Sequence, residues 1–155
     1  MTFRIQPMDE QAARAFADWH YDGVYAFYDM DQDPEDLEEL LDPENWPDSY
    51  FAVTDKREEL VGFFCFERDG DSVAVGLGLR PDLTGRGLGR AFLEAGLSLA
   101  EGRFRPAAFT LSVATFNERA IRLYRKAGFT DAGTTMNQTN GGEYEFLRML
   151  RRVRP

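Results

Sequence analysis

Ser72-Val73-Ala74-Val75-Gly76-Leu77-Gly78-Leu79-Arg80-Pro81-Asp82-Leu83-Thr84-Gly85-Arg86-Gly87-Leu88-Gly89-Arg90 changes character halfway along, and that change decides the fold. Up to Leu79 it alternates. Val73, Val75, Leu77 and Leu79 are apolar while Ser72, Ala74, Gly76 and Gly78 are small, the pattern that sends one set to each face of a strand. Glycines weaken a strand interior, so two of them mark a bulge, a tightly packed face beneath a helix, or a place where something approaches the backbone. Past Arg80 the segment becomes glycine-rich and then helical, with Leu88, Phe92, Ala95 and Leu99 expected on one face. At a helix start the peptide N–H groups have no intrahelical partner and the macrodipole is positive. With Gly85, Gly87 and Gly89 leaving those groups unshielded and Arg86 and Arg90 beside them, the segment is a cradle for an anion, most naturally a diphosphate.

Upstream, Phe3 to Ile5 alternates like a short strand, and Met8 to Asp18 reads as a helix with Ala12, Ala15, Phe16 and Trp19 on one side. Asp33-Pro34-Glu35-Asp36 opens a second helix through Leu41, with an oxygen-bearing cap, proline at the first position and carboxylates at the positive end. Tyr50 to Thr54, Leu60 to Glu67 and Ser72 to Leu79 form an antiparallel meander. Downstream come a helix (Gly87 to Ala100), a strand (Phe109 to Ala114), a helix (Asn117 to Ala127) closed by Gly128, and two strands around Asn140-Gly141-Gly142. The expected order is β-α-α-β-β-β-α-β-α-β-β, an α+β layer structure in one domain over residues 1–155.

Three nucleotide-binding patterns compete for the glycine loop. A Walker loop ends in Gly-Lys-Ser/Thr so that a lysine and a hydroxyl serve the terminal phosphate and magnesium, and Gly89-Arg90-Ala91 supplies neither. A Rossmann fingerprint needs glycine or alanine where Arg90 stands. The third pattern gains support from Asn117-Glu118-Arg119-Ala120-Ile121-Arg122-Leu123-Tyr124-Arg125-Lys126-Ala127-Gly128-Phe129, where Asn117 and Tyr124 lie two helical turns apart on nearly the same face. In combination, Gly-x-Gly-x-Gly after a glycine-weakened strand and this second helix resemble the acyl-CoA-binding elements of the GNAT N-acetyltransferase superfamily.

The resemblance implies a GNAT fold, with a mixed, mostly antiparallel central sheet flanked by helices. It implies an enzyme that transfers the acetyl group of acetyl-CoA to a primary amine by direct attack in a ternary complex, without a metal. The backbone of Leu77 and Leu79 would pair with the pantetheine amides, and Thr84, Gly85, Arg86, Gly87, Leu88, Gly89 and Arg90 would cradle the pyrophosphate. Thr84 departs from the family, which usually has arginine or glutamine there. Asn117 would hold the pantetheine arm and Tyr124 would act as general acid on the departing thiolate, although an N-cap and a core aromatic are the structural alternatives for these two residues. Glu67 is the leading candidate base, with Glu143 and Asp22 as others, because the strand Ser72 to Leu79 carries no glutamate. A non-catalytic acyl-CoA sensor on the same fold is the alternative function, and a homodimer is compatible with either.

The charge distribution bears on the acceptor. Residues 1–82 hold 21 acidic and 6 basic side chains, whereas residues 83–155 hold 6 acidic and 12 basic. A polyanion suits the second part and a cation the first, while the overall charge of −9 argues against a nucleic-acid backbone. Trp19, Tyr21, Tyr25, Phe27 and Tyr28, interleaved with Asp18, Asp22 and Asp29, could line a pocket for a cationic amine, together with Glu143. A small amine or a peptide amine is the expected partner, and His20 is a further pocket candidate. The single cysteine, Cys65 in an apolar run, is expected in the core, and one histidine with one cysteine argues against zinc. No segment has the roughly 20 apolar residues of a membrane span and the N-terminus lacks signal-peptide character, so a cytoplasmic protein is expected.

Overall fold

The computed structural model describes residues 2–21, 23, 28, 34–45, 49–84 and 86–153. Its elements run β1 (Arg4–Pro7), α1 (Glu10–Ala17), α2 (Pro34–Leu40), β2 (Tyr50–Thr54), β3 (Leu60–Asp69), β4 (Ser72–Leu79), α3 (Gly89–Phe104), β5 (Ala108–Ala114), α4 (Glu118–Lys126), β6 (Thr130–Thr139) and β7 (Gly142–Arg152). This is the expected order. The strands hydrogen-bond in the order β1-β2-β3-β4-β5-β7-β6. Pairing is antiparallel between β1 and β2, β2 and β3, β5 and β7, and β6 and β7, and parallel between β4 and β5, so the sheet is mixed and mostly antiparallel, as the sequence predicted. The chain forms two compact units, Met1–Cys65 with Leu77–Leu88, and Phe66–Gly76 with Gly89–Pro155.

In the first unit, α1 starts later than expected. The Asp9 carboxylate accepts from the Ala12 N–H at 2.7 Å, a side-chain cap that ends the helix there, and the Met8 N–H donates instead to the Tyr50 carbonyl at 2.9 Å. Ala12, Ala13 and Phe16 are buried with Met8, Leu40 and Ala52, and Trp19, Tyr50, Leu60 and Phe63 pack around them. Ala15, expected on this face, is exposed. Phe16 organises the cluster, with Trp19 edge-on at 4.6 Å between ring centroids and Phe63 at 5.0 Å. Such aromatic pairs add about 0.5–1.5 kcal/mol each beyond area burial. Cys65, opposite Tyr50 on the β2–β3 ladder, is half-buried rather than in the core.

In the second unit, β4 and β5 pair at Ser72↔Ala108, Val73↔Phe109 and Ala74↔Thr110, and β5 runs antiparallel to β7 from Ala108↔Arg152 to Ala114↔Phe146. The buried face of α3 is Phe92, Leu93, Gly96, Leu97 and Ala100, whereas Leu88, Ala95 and Leu99 of the expected face are only half-buried. A stripe read from large apolar residues misses Gly96, which is buried on this face. The helix also begins at Gly89 instead of Gly87, because Gly87 has φ +76°, outside the right-handed helical region.

Candidate active site

The glycine turn is tied down from its first residue. Arg80 closes β4 with its N–H on the Val61 carbonyl at 2.7 Å, and its guanidinium reaches the Leu60 carbonyl at 2.9 Å and the Asp82 carboxylate at 2.6 Å. Hydrogen bonding to Arg80 holds the Asp82 carboxyl below the usual carboxylate range. A 3-10 turn over Pro81–Leu83 buries Leu83. The Thr84 hydroxyl, one of the expected pyrophosphate residues, donates to the Pro81 carbonyl at 2.7 Å within the turn.

Beyond the turn, Arg86 and Arg90 are exposed and Leu88 is half-buried, and Gly85 lies outside the described residues. A Cβ on Gly87 would meet nothing within 4 Å, so the backbone there opens onto free space in a left-handed conformation that L-residues disfavour. Gly89 has another reason to be glycine, because its Cβ would stand 2.8 Å from the Leu123 side chain. No acidic residue occupies the first turn of α3, so nothing there offsets the positive end of the helix. The first unit thus ends this segment on an open backbone turn with Arg86 exposed, and the second begins it on a helix N-terminus with Arg90 exposed.

The edge of β4 is described by the same bonds. In a trans peptide the C=O of one residue and the N–H of the next point in opposite directions. Since the Arg80 N–H faces Val61 on β3, the Leu79 carbonyl faces away from β3. Leu77, two residues earlier, presents its backbone to the same side. The Leu79 carbonyl accepts the Tyr21 hydroxyl at 2.8 Å across 58 residues of sequence, so two residues expected in different subsites meet. Gly78 has a packing role, because a Cβ there would collide with the Phe63 ring.

Asn117 and Tyr124 are both buried, at 9% exposure each. The Asn117 carboxamide oxygen accepts from the Ala120 N–H at 3.2 Å, so the residue does cap α4. At the other end, the Phe129 N–H donates to the Tyr124 carbonyl at 3.0 Å and the Gly128 N–H to the Arg125 carbonyl at 3.1 Å, with Gly128 at φ +94°. This is a Schellman ending. Its customary apolar contact is here the Phe129 ring edge-on to Tyr124, with centroids 6.1 Å apart. The helix ending therefore holds the tyrosine ring. Phe129 was missed as a site-supporting residue, although Gly128-Phe129 after a helical run was its available signal.

Of the acceptor candidates, Trp19, Tyr21 and Tyr28 are half-buried and His20 is exposed, while Asp22, Tyr25, Phe27 and Asp29 lie outside the described residues. Glu67 is exposed among the last residues of β3, and Glu143, opposite Gln138 on the β6–β7 hairpin, is exposed too.

The sequence model of the Acetyltransferase (GNAT) family matches residues 11–129. A mycothiol acetyltransferase of Clavibacter sepedonicus is 37% identical over 121 residues, covering 77% of this chain and 38% of that protein. A peptidyl-lysine N-acetyltransferase, YjaB of Salmonella typhimurium, is 32% identical over 101 residues, covering 65% of this chain and 63% of that one. This chain thus spans little more than a third of the first relative's length. Among solved structures, a spermidine N-acetyltransferase from Vibrio cholerae in complex with CoA and spermine superposes with a TM-score of 0.76 at 18% identity, over 97% of this chain and 95% of that one. The likeness extends to the whole fold.

Proposed function

The chain belongs to the GNAT acetyltransferase family, and from that premise we propose that it transfers the acetyl group of acetyl-CoA to a primary amine by direct attack in a ternary complex. The observation that carries the reading is the open turn at Gly87, with Arg86 and Arg90 exposed beside the unneutralised start of α3. A diphosphate there leaves the pantetheine arm to follow the β4 edge at Leu79 and Leu77. Residues 1–155 are read as a single acetyltransferase domain.

An alkyl amine with a pKa near 10 is protonated at neutral pH, so freeing its lone pair costs about 4 kcal/mol. Glu67, directly or through water, is the acceptor of that proton in this reading. The amine nitrogen then attacks the thioester carbonyl carbon, giving a tetrahedral oxyanion that a β4 peptide N–H can stabilise. The C–S bond breaks, the sulfur takes the proton of the Tyr124 hydroxyl, the second proton of the attacking nitrogen passes through water to restore that hydroxyl, and the products are a neutral N-acetyl amide and CoA. Tyr124 suits this role because its ring is buried and held by Phe129, so only the hydroxyl need act.

The acceptor is proposed to be cationic, a polyamine-like amine or a lysine or N-terminal amine of a peptide, drawn by the acidic residues 1–82 and by Trp19 and Tyr21. Thiol release from acetyl-CoA measured across a panel of polyamines, lysine peptides, peptide N-termini and aminoglycosides tests the function and the acceptor class together. Thiol release with none of these amines, from a protein that still binds acetyl-CoA, would favour the non-catalytic sensor instead.

A further inference from the structure

We propose that the Tyr21 hydroxyl is a place-holder on β4, occupying the Leu79 carbonyl until a pantetheine amide N–H takes that acceptor, so that CoA entry releases Tyr21 toward the acceptor amine. The proposal rests on the reading that pantetheine pairs with the backbone of Leu77 and Leu79.

The direction of the Leu79 peptide does not depend on Tyr21. That peptide is already anchored by the Arg80 N–H on Val61 and by the Arg80 guanidinium on the Leu60 carbonyl and Asp82. What the phenol supplies is a donor for a carbonyl that faces away from β3, and a half-buried backbone acceptor without a donor is costly. It does so from a side chain and not from the next strand. A side chain can withdraw by rotating, whereas a strand cannot leave without breaking its ladder. Trp19, two residues earlier, packs edge-on against Phe16 at 4.6 Å, so the end of α1 is held by a contact other than the Tyr21 bond. Because the same residue is a proposed acceptor-side residue, its release couples arrival of CoA to the shape presented to the amine.

The coupling has a sign that a structural role lacks. A neutral hydrogen bond contributes about 1 kcal/mol net, equivalent to about a fivefold change in affinity. Tyr21→Phe keeps the ring and removes the hydroxyl that donates to the Leu79 carbonyl. The ligand-free variant should therefore melt about 2–4 °C lower, yet bind CoA about fivefold more tightly.

Calorimetric titration of wild type and Tyr21→Phe with CoA, alongside melting curves of the ligand-free proteins, tests this. The nucleotide half of CoA, adenosine 3′-phosphate 5′-diphosphate, carries no pantetheine amide and should bind both proteins equally. Tighter CoA binding by the variant with unchanged nucleotide binding supports the proposal. Unchanged or weaker CoA binding overturns it while leaving the acetyltransferase reading intact, as does equal tightening toward the nucleotide alone. Failure of the wild type to bind CoA overturns both.

Discussion

Gly87 separates two reasons for a glycine, and a pair of substitutions can tell them apart. Its φ of +76° costs an L-alanine about 1–2 kcal/mol, and with nothing within 4 Å of the added Cβ no clash is added. For a chain of this size each kcal/mol moves Tm by about 2–4 °C, so Gly87→Ala should melt about 2–8 °C lower. Asparagine tolerates the left-handed region better, and Gly87→Asn should fall by less. If the glycine serves close approach of a diphosphate, both variants lose ligand binding, because either side chain stands where the phosphates must come. Acetyl-CoA at about 100 times its Kd stabilises by about 2.7 kcal/mol, a rise of about 5–11 °C in the wild type by the same conversion. Differential scanning fluorimetry with acetyl-CoA, ATP and NAD reads all of this. The expected pattern is a shift with acetyl-CoA alone, abolished in Gly87→Asn despite near-normal stability. A full acetyl-CoA shift in Gly87→Asn, or an equal shift with ATP in the wild type, would refute the backbone-access argument.

Tyr124→Phe should lower kcat by about one to two orders of magnitude with little change in acetyl-CoA affinity, because only the hydroxyl is proposed to act; unaltered turnover where chemistry is rate-limiting would remove the acid role. Hydrogen bonding to Arg80 lowers the folded-state pKa of Asp82, so its stabilisation is present above the unfolded carboxylate value and is lost as pH falls through the folded one. The side chain is 58% exposed, which screens the effect to a few tenths of a kcal/mol, and Asp82→Asn should flatten the acid limb of the stability–pH curve by that amount in urea titrations. The apparent KM for the amine should rise with ionic strength, since attraction to the acidic segment is screened within about 8–10 Å, and Asp22→Asn with Asp29→Asn should reproduce the rise. A KM indifferent to both would make that segment a solvated surface.

The element order was legible because periodicity is local. Val73, Val75, Leu77 and Leu79 announce a strand whatever surrounds them, and Asn117 and Gly128 bracket a helix with groups that act within four residues. Faces and partners were less legible. The reading of α3 from Leu88, Phe92, Ala95 and Leu99 misses Gly96, since a residue without a side chain leaves no mark in an apolar stripe although it is buried. Gly78 invites a ligand-approach reading, but its neighbour is Phe63 of another strand, a contact that local spacing does not reveal. The bond from Tyr21 to Leu79 spans 58 residues, and no spacing rule reaches that far. The bond from Thr84 to Pro81 depends on a 3-10 turn that composition does not announce. Arg80 was passed over for a similar reason, since its partners Leu60 and Val61 belong to another strand.

The ending of α4 has a consequence for anyone altering this protein. The residue that aims Tyr124 is not a neighbour chosen for chemistry but the first ring after the glycine that stops the helix. Punctuation and aim are one device. A swap at Gly128, or one residue inserted before Phe129, would leave every proposed reactive group in the sequence and still turn the hydroxyl, so a library built to spare the active site should treat the helix stop as part of it.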